Sequence, residues 1–130
     1  MIRDVDGFER ASRVAAERLK RVGSALIVGH IDADGITASS IATMSLRRAG
    51  IANRVQFVKK LDEAAISKAH ADPAEVLWFV DLGSAALSKL DVDRCIITDH
   101  HRPEPSKDEV LYREGHVNPH LFGIDGSTEV

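Results

Sequence analysis

Three short polar segments carry side chains suited to binding metal ions. They read HIDADG at residues 30–35, DLGS at 81–84 and TDHH at 98–101. They offer carboxylates and imidazoles but no thiolate, which suits Mn²⁺ or Mg²⁺, and also Zn²⁺ or Fe²⁺, rather than a cysteine-based structural zinc. Imidazole is a poor magnesium ligand, so the mixture favours manganese. Two such ions about 3.5–4 Å apart, sharing a carboxylate, would suit phosphate hydrolysis.

Each polar segment directly follows an apolar run of strand length. The strands predicted from such runs are Ala25–Val28, Arg54–Val58, Val76–Val80, Arg94–Thr98 and Val110–Tyr112. Because helical patterns alternate with them, we expect an α/β fold with a doubly wound, mostly parallel five-stranded sheet flanked by helices. Such sheets bind ligands beyond the carboxyl ends of their strands, so the three polar segments are expected to converge at one rim.

Apolar residues at helical spacing predict the helices between the strands. The predicted ranges are 5–22, 36–49, a helix capped by Asp62 that runs to about 69, and a short helix from 87 to 90. In the second helix, the residues expected to face the sheet are Ile36, Ser40, Ile41, Met44 and Leu46.

Composition excludes several classes of protein. The 130 residues are 44% hydrophobic, yet no stretch approaches the ~20 apolar residues of a membrane helix, and the first residues do not form a signal peptide. The single cysteine cannot build a disulfide framework. We therefore expect a cytoplasmic protein with no membrane partner. The net charge of −3 argues against a dedicated nucleic-acid-binding module but not against an enzyme that gathers carboxylates around cations.

The segments HIDADG, DLGS, TDHH and, at 117–120, VNPH stand in an order and at a spacing that resemble the DHH phosphoesterase superfamily. The resemblance is greatest to RecJ-like single-strand-specific exonucleases, and it covers nearly the whole chain. It implies two Mn²⁺ ions, with Mg²⁺ as the alternative, and it assigns ligands to each. His30 and Asp32 would hold the first ion, Asp34 and His100 the second, and Asp81 would bridge the two as part of the catalytic centre.

The resemblance also assigns residues that act around the metals. His101 would contact the scissile phosphate and stabilise the charge that develops on it. Asp99 would orient a neighbouring imidazole. Apart from the resemblance, the position of Arg102 directly after the histidines makes it a candidate to contact a phosphate. Asn118, in VNPH, matches the family's turn but receives no role.

The family pattern continues beyond the segments that are present here. It adds a Ser-Gly-rich helix, a further Asp that completes the second metal site, and a smaller substrate-binding domain. We therefore expect residues 1–130 to be the N-terminal DHH domain, incomplete at its C-terminal end and without the second domain. On this expectation the chain alone would be inactive.

The leading functional hypothesis is metal-dependent phosphodiester hydrolysis at the end of single-stranded DNA or RNA. The first alternative keeps the chemistry and changes the substrate to short oligoribonucleotides, a bis-phosphorylated nucleoside, a cyclic dinucleotide or pyrophosphate. The second alternative is a scaffold protein without catalysis, with replication or repair proteins as its partners.

Other residues are expected to have structural or surface roles. His70, His116 and His120 are expected at the surface, Cys95 as a buried thiol, and Trp78 and Phe79 in the core. The basic residues Arg47, Arg48, Arg54, Lys59 and Lys60 are interpreted first as a solvated surface and second as a track for a phosphate backbone.

Overall fold

The computed structural model describes residues 2–103 and 112–127. This part of the chain contains three α-helices and five strands. They are α1 (Val5–Lys20), β1 (Ser24–His30), α2 (Ala33–Arg48), β2 (Ala52–Val58), α3 (Glu63–His70), β3 (Val76–Val80), β4 (Cys95–Thr98) and β5 (His116–Val117). Two 3-10 helices, Ser84–Lys89 and Pro119–Phe122, follow β3 and β5. No helix among these elements is long and apolar enough to cross a membrane.

The five strands form one sheet in the order β2-β1-β3-β4-β5, and every neighbouring pair is parallel. The predicted α/β class and doubly wound, five-stranded sheet are therefore confirmed. The chain leaves β1 toward β2 on one side and returns to β3 on the other. Strand order thus reverses between β1 and β3, and this switch point is where sheets of this kind bind ligands.

Helices cover both faces of the sheet. On one face, α1 and α2 pack against the sheet through residues that include Ala15, Leu19, Ala42 and Leu46. On the other face, α3 and the Ser84–Lys89 turn pack against residues that include Phe79. Both faces are apolar, which accounts for the continuous hydrophobic runs of β1 and β3. Phe79 is fully buried and Cys95 is 2% exposed, as expected for core residues.

Of the residues predicted to face the sheet from α2, only Leu46 is buried, so the prediction is wrong for the others. Its buried residues are Gly35, Ser39, Ala42 and Leu46, whereas Ile36, Ile41 and Met44 are about half exposed or more. The physical reason is close approach: a Cβ on Gly29 of β1 would overlap the Ser39 hydroxyl. A helix that lies this close to a strand needs small side chains at the contact, and the large ones turn outward.

The position predicted for the fifth strand is also corrected. Residues 110 and 111 lie outside the described residues, and Tyr112 is not in a strand. The fifth strand is His116–Val117, which pairs with Ile97 and Thr98 of β4. The expectation that His116 is at the surface is therefore wrong, because its side chain is covered inside the fold and is only 2% exposed.

Candidate metal centre

The three polar segments meet at the carboxyl ends of β1, β3 and β4. Two groups of three side chains could each hold a metal ion, and within each group the ligand atoms lie within 4.8 Å of one another. The first group is His30, Asp32 and Asp81, and the second is Asp81, His100 and His101. Asp81 belongs to both groups. Asp34 lies at the edge of the cluster, where its Oδ2 is 4.0 Å from His100 Nε2. Parallel strands alone bring these residues together, since β1, β3 and β4 are adjacent.

The first turn of α2 positions the β1 segment. Asp32 caps this helix, and its Oδ1 accepts a hydrogen bond of 2.8 Å from the backbone of Gly35. Its other oxygen lies 2.7 Å from His30 Nδ1. The hydrogen bond from Gly35 and the adjacent imidazole lower the pKa of Asp32, so the carboxylate is ionised and ready to bind a cation.

Backbone carbonyls determine which nitrogen of two histidines faces the cluster. His30 Nε2 lies 3.0 Å from the Lys59 carbonyl, and His100 Nδ1 lies 2.8 Å from the Gly126 carbonyl. A carbonyl only accepts, so each of these nitrogens carries the hydrogen and donates it. The other nitrogens, His30 Nδ1 and His100 Nε2, point at Asp32 and Asp81, to which they donate when the rings are protonated. In the neutral rings the same two nitrogens would offer lone pairs to a metal.

Asp81 has the least favourable environment for a carboxylate in the cluster. It is 4% exposed and holds φ at 60°, the one described residue other than glycine with positive φ. Its Oδ1 accepts a hydrogen bond of 2.9 Å from His100 Nε2, but its buried Oδ2 has no hydrogen-bond partner among the described residues. Burial raises the pKa of Asp81, against the opposing influence of His101 and His100. A strained, buried carboxylate with an unpaired oxygen is typical of a functional site.

The cluster has the features of a divalent-cation site. The pKa of His30 is raised chiefly by its hydrogen bond with Asp32. Burial lowers the pKa of His100, but its bonds to the Gly126 carbonyl and Asp81 outweigh this and raise it overall. Protons are therefore retained where carboxylates and imidazoles crowd together. A divalent cation would replace these protons and satisfy the unpaired oxygen of Asp81, so the residues fit the metals that the sequence predicts.

His101 differs from the other two histidines. Its Nδ1 lies 2.7 Å from Asp99 Oδ1, and this carboxylate also accepts the backbone N–H of His100 at 2.9 Å. The His101 side chain is 57% exposed. Because Asp99 takes the Nδ1 hydrogen, Nε2 is left available on the open side of the site. The contact with Asp99 fixes the orientation of the His101 ring.

The basic residues grouped in the sequence are separated in the fold. Arg47 and Arg48 end α2, which runs back from the site to the opposite end of the sheet. Arg54 pairs with Asp72 at 2.7 Å. Lys59 and Lys60 instead line a groove of about 360 Å³ that is also lined by His30, Asp81, Asp99 and His101. Lys89, which sequence reasoning missed, lines the same groove.

Several predicted residues stand apart from the cluster. Arg102 is exposed and makes no hydrogen bond or ion pair with the described part of the site. His70 and His120 are half-buried rather than fully exposed, and His70 Nε2 accepts the backbone N–H of Asp91 at 3.2 Å. Trp78 is half-buried and donates from Nε1 to Thr98 Oγ1 at 3.0 Å, so it is not wholly in the core.

Sequence reasoning also missed a buried polar network next to the site. Ser84, His116 and Asn118 are each 2% exposed or less and are linked by hydrogen bonds. Burial lowers the pKa of His116 to about 4, so this histidine is neutral inside the protein. The VNPH segment was the only signal for Asn118.

Known proteins resemble this chain in sequence. The uncharacterised protein MJ0831 of Methanocaldococcus jannaschii is 28% identical over 137 aligned residues, which cover 100% of this chain and 32% of that protein. The single-stranded-DNA-specific exonuclease RecJ of Escherichia coli is 26% identical over 90% of this chain and 22% of its own length. This chain therefore spans about a third or less of these curated relatives.

Solved structures show the same fold. A crystal structure of exonuclease RecJ bound to manganese superposes with a TM-score of 0.66 at 22% identity, over 93% of this chain and 32% of that one. RecJ from Thermus thermophilus in complex with Mn²⁺ gives a TM-score of 0.61 at 22% identity, over 89% of this chain and 17% of that one. The model of the DHH family, N-terminal domain, matches residues 24–124, which include all three polar segments. The chain therefore belongs to the DHH family and resembles RecJ over this N-terminal domain.

Proposed function

We propose that this chain provides the metal-binding core of a metal-dependent phosphoesterase that hydrolyses phosphodiester bonds in nucleic acid. The observation that carries the proposal is the pair of ligand groups that share the buried carboxylate of Asp81. A shared carboxylate is what a two-metal site requires, and two-metal sites recur in enzymes that hydrolyse phosphate esters. Two Mn²⁺ ions, with Mg²⁺ as the alternative, are the cofactors assigned to it.

Each side chain of the site has a part in this proposal. His30, Asp32 and Asp81 would hold one ion. Asp81 and His100 of the second group would hold the other, together with Asp34, whose Oδ2 lies 4.0 Å from His100 Nε2. When bound, the metals supply charge neutralisation at the phosphate and activation of water. His101 binds the phosphate through Nε2 and stabilises its developing charge, while Asp99 keeps the ring in that orientation.

The groove beside the metal centre supports a polyanionic substrate. Lys59, Lys60 and Lys89 line it together with His30 and His101. Cationic side chains next to a hydrolytic centre attract a phosphate backbone without reading its sequence. We therefore assign single-stranded DNA or RNA, or a short oligonucleotide, as the substrate, with Arg102 as a further phosphate contact at the exposed edge. The RecJ relatives, which are named as exonucleases specific for single-stranded DNA, support the same substrate class.

The first test is a calorimetric titration of Mn²⁺ into the wild-type protein and the Asp81→Asn variant. We expect saturable binding to the wild type and its loss in the variant, because both ligand groups contain this carboxylate. Asp91→Asn is the matched control, since Asp91 precedes β4 at the opposite end of the sheet and its substitution leaves both groups intact.

The second test measures hydrolysis by the full-length gene product. A single-stranded oligonucleotide and a dinucleotide are compared as substrates, with Mn²⁺ present. Faster cleavage of the long strand supports the exonuclease, and faster cleavage of the dinucleotide supports an oligonucleotidase. Full activity of Asp81→Asn would contradict the proposal. Wild-type protein that neither binds Mn²⁺ nor cleaves either substrate would favour the scaffold alternative.

A further inference from the structure

A polar network is buried beneath the segment that carries His100 and His101. Ser84 and Asn118 are fully buried and His116 is 2% exposed. Asn118 Nδ2 lies 2.7 Å from the His101 carbonyl and 2.9 Å from Ser84 Oγ, and Ser84 Oγ lies 2.9 Å from His116 Nε2. Burying a polar group costs free energy unless it forms hydrogen bonds. Of the polar side-chain atoms of these three residues, His116 Nδ1 is the one without a hydrogen-bond partner among the described residues.

The direction of each hydrogen bond follows from the chemistry of the groups. The His101 carbonyl only accepts, so the Asn118 amide must present its NH₂ group there. The two hydrogens of this group then go to the His101 carbonyl and to Ser84 Oγ. Ser84 Oγ also lies 2.9 Å from His116 Nε2, and Asn118 Oδ1 accepts the backbone N–H of His120 at 2.9 Å. The side-chain amide of Asn118 therefore has one orientation.

The network holds His101 from two sides. Asp99 bonds to the ring nitrogen Nδ1, and Asn118 bonds to the main-chain carbonyl of the same residue. Ser84 joins the two arms, because its backbone N–H donates to Asp99 Oδ2 at 3.1 Å while its hydroxyl bonds to Asn118. Ring and backbone of His101 are thus tied to a single buried unit.

We propose that Asn118 is a positioning residue for His101, with Ser84 and His116 fixing the orientation of its amide. This inference rests on the proposed function, in which His101 contacts the phosphate. Loss of the bond to the carbonyl lets the peptide of His101 shift while the metal ligands remain in place. Small displacements of a reacting group have large effects on rate, and outer partners of metal sites typically contribute about 10- to 100-fold. We expect Asn118→Ala to lower kcat by this factor, with KM and Mn²⁺ affinity unchanged.

The decisive experiment is a double-mutant cycle in the full-length gene product. Asn118→Ala, His101→Ala and the double variant are compared with Asn53→Ala, a matched control whose amide donates to the Ile51 carbonyl. If Asn118 acts through His101, its substitution costs nothing further once the His101 imidazole is absent. An equal loss in both backgrounds, or an unchanged kcat, overturns the proposal.

A second variant and a second readout keep the test independent of folding and of activity. If Asn118→Ala does not fold, Ser84→Ala takes its place in the cycle, with a smaller loss of kcat expected because the bond to the carbonyl remains. The second readout is the imidazole nitrogen resonances of the metal-free protein. Substitution at Asn118 is expected to shift those of His101 but not those of His30. Unshifted His101 signals overturn the positioning role, whereas absent hydrolysis by wild type contradicts only the proposed function.

Discussion

Replacement of Asp81 by asparagine is expected to change stability in opposite directions with and without metal. Asp81 is 4% exposed, its Oδ2 lacks a hydrogen-bond partner in the described structure, and burial raises its pKa. A carboxyl group whose pKa is higher in the folded protein than in the unfolded chain destabilises the fold above that pKa and is neutral in effect at low pH. Asparagine keeps the size, the acceptor toward His100 and the tolerance of positive φ, but not the charge.

The magnitude follows from the unpaired group. A buried polar atom without a partner costs about 1–3 kcal/mol, and more when it is charged. The amide of the variant leaves its own N–H unpaired, so the net gain is the difference between the two, about 1 kcal/mol. For a chain of 130 residues this corresponds to about 4 °C in Tm. We expect this gain at pH 8 in the presence of EDTA.

In the presence of manganese, the wild type is expected to be more stable than Asp81→Asn. At a concentration 100-fold above Kd, a ligand that binds only the folded state stabilises it by about 2.7 kcal/mol. The wild type receives this stabilisation, and Asp81→Asn does not, because both ligand groups have lost their shared member. Unfolding is followed by circular dichroism in EDTA and in Mn²⁺, with Asp91→Asn as control. A variant less stable than wild type in EDTA, or stabilised equally by Mn²⁺, would refute the reasoning.

Four further substitutions test other parts of the structure by urea unfolding. The pKa of His116 is about 4 in the folded protein against 6.5 when unperturbed. Between these pH values the unfolded chain binds a proton at His116 that the folded protein does not bind. The free energy of unfolding that neutral His116 contributes above pH 6.5 is therefore lost as the pH falls toward 4, by about 2 kcal/mol between pH 7.5 and pH 5. His116→Gln is expected to weaken this dependence of the free energy of unfolding on pH. Arg94→Met removes hydrogen bonds to three backbone carbonyls and is expected to cost at least about 2 kcal/mol, whereas Arg54→Met, which breaks one exposed ion pair, costs less than about 1 kcal/mol. Gly35→Ala places a Cβ against the carbonyl of His30 and is expected to cost about 1–3 kcal/mol, and an unchanged midpoint would contradict that contact.

The sheet was predictable because its strands are buried on both faces. A continuous apolar run with the length and composition of Val76–Val80 predicts a strand that is buried on both faces. The convergence of the three polar segments followed from parallel strand order alone. Strand β5 was not predictable in the same way, since two residues carry too little pattern, and its pairing depends on β4.

The orientation of side chains was harder to predict than the elements themselves. Hydrophobicity placed Ile36, Ile41 and Met44 inward on α2, but the close approach of this helix to β1 selects the small residues instead. His116 looked like a surface residue because its neighbours are turn formers, whereas its burial depends on β5 and on the Ser84 hydroxyl. Contacts of this kind join residues 32 positions apart and leave no local pattern.

The membership of Asp81 in both ligand groups has a consequence for how the protein unfolds. Metals held there would join β1, β3 and β4 through side chains at residues 32, 81 and 100, which closes chain loops of 49 and 19 residues. A link of this kind restricts the unfolded chain as a disulfide does, in a protein whose single cysteine is buried and unpaired. Chelation would then act on the cooperative unfolding of the whole central sheet. The slowest-exchanging amides of β1 and β3, rather than those of the surrounding loops, would report the loss of metal.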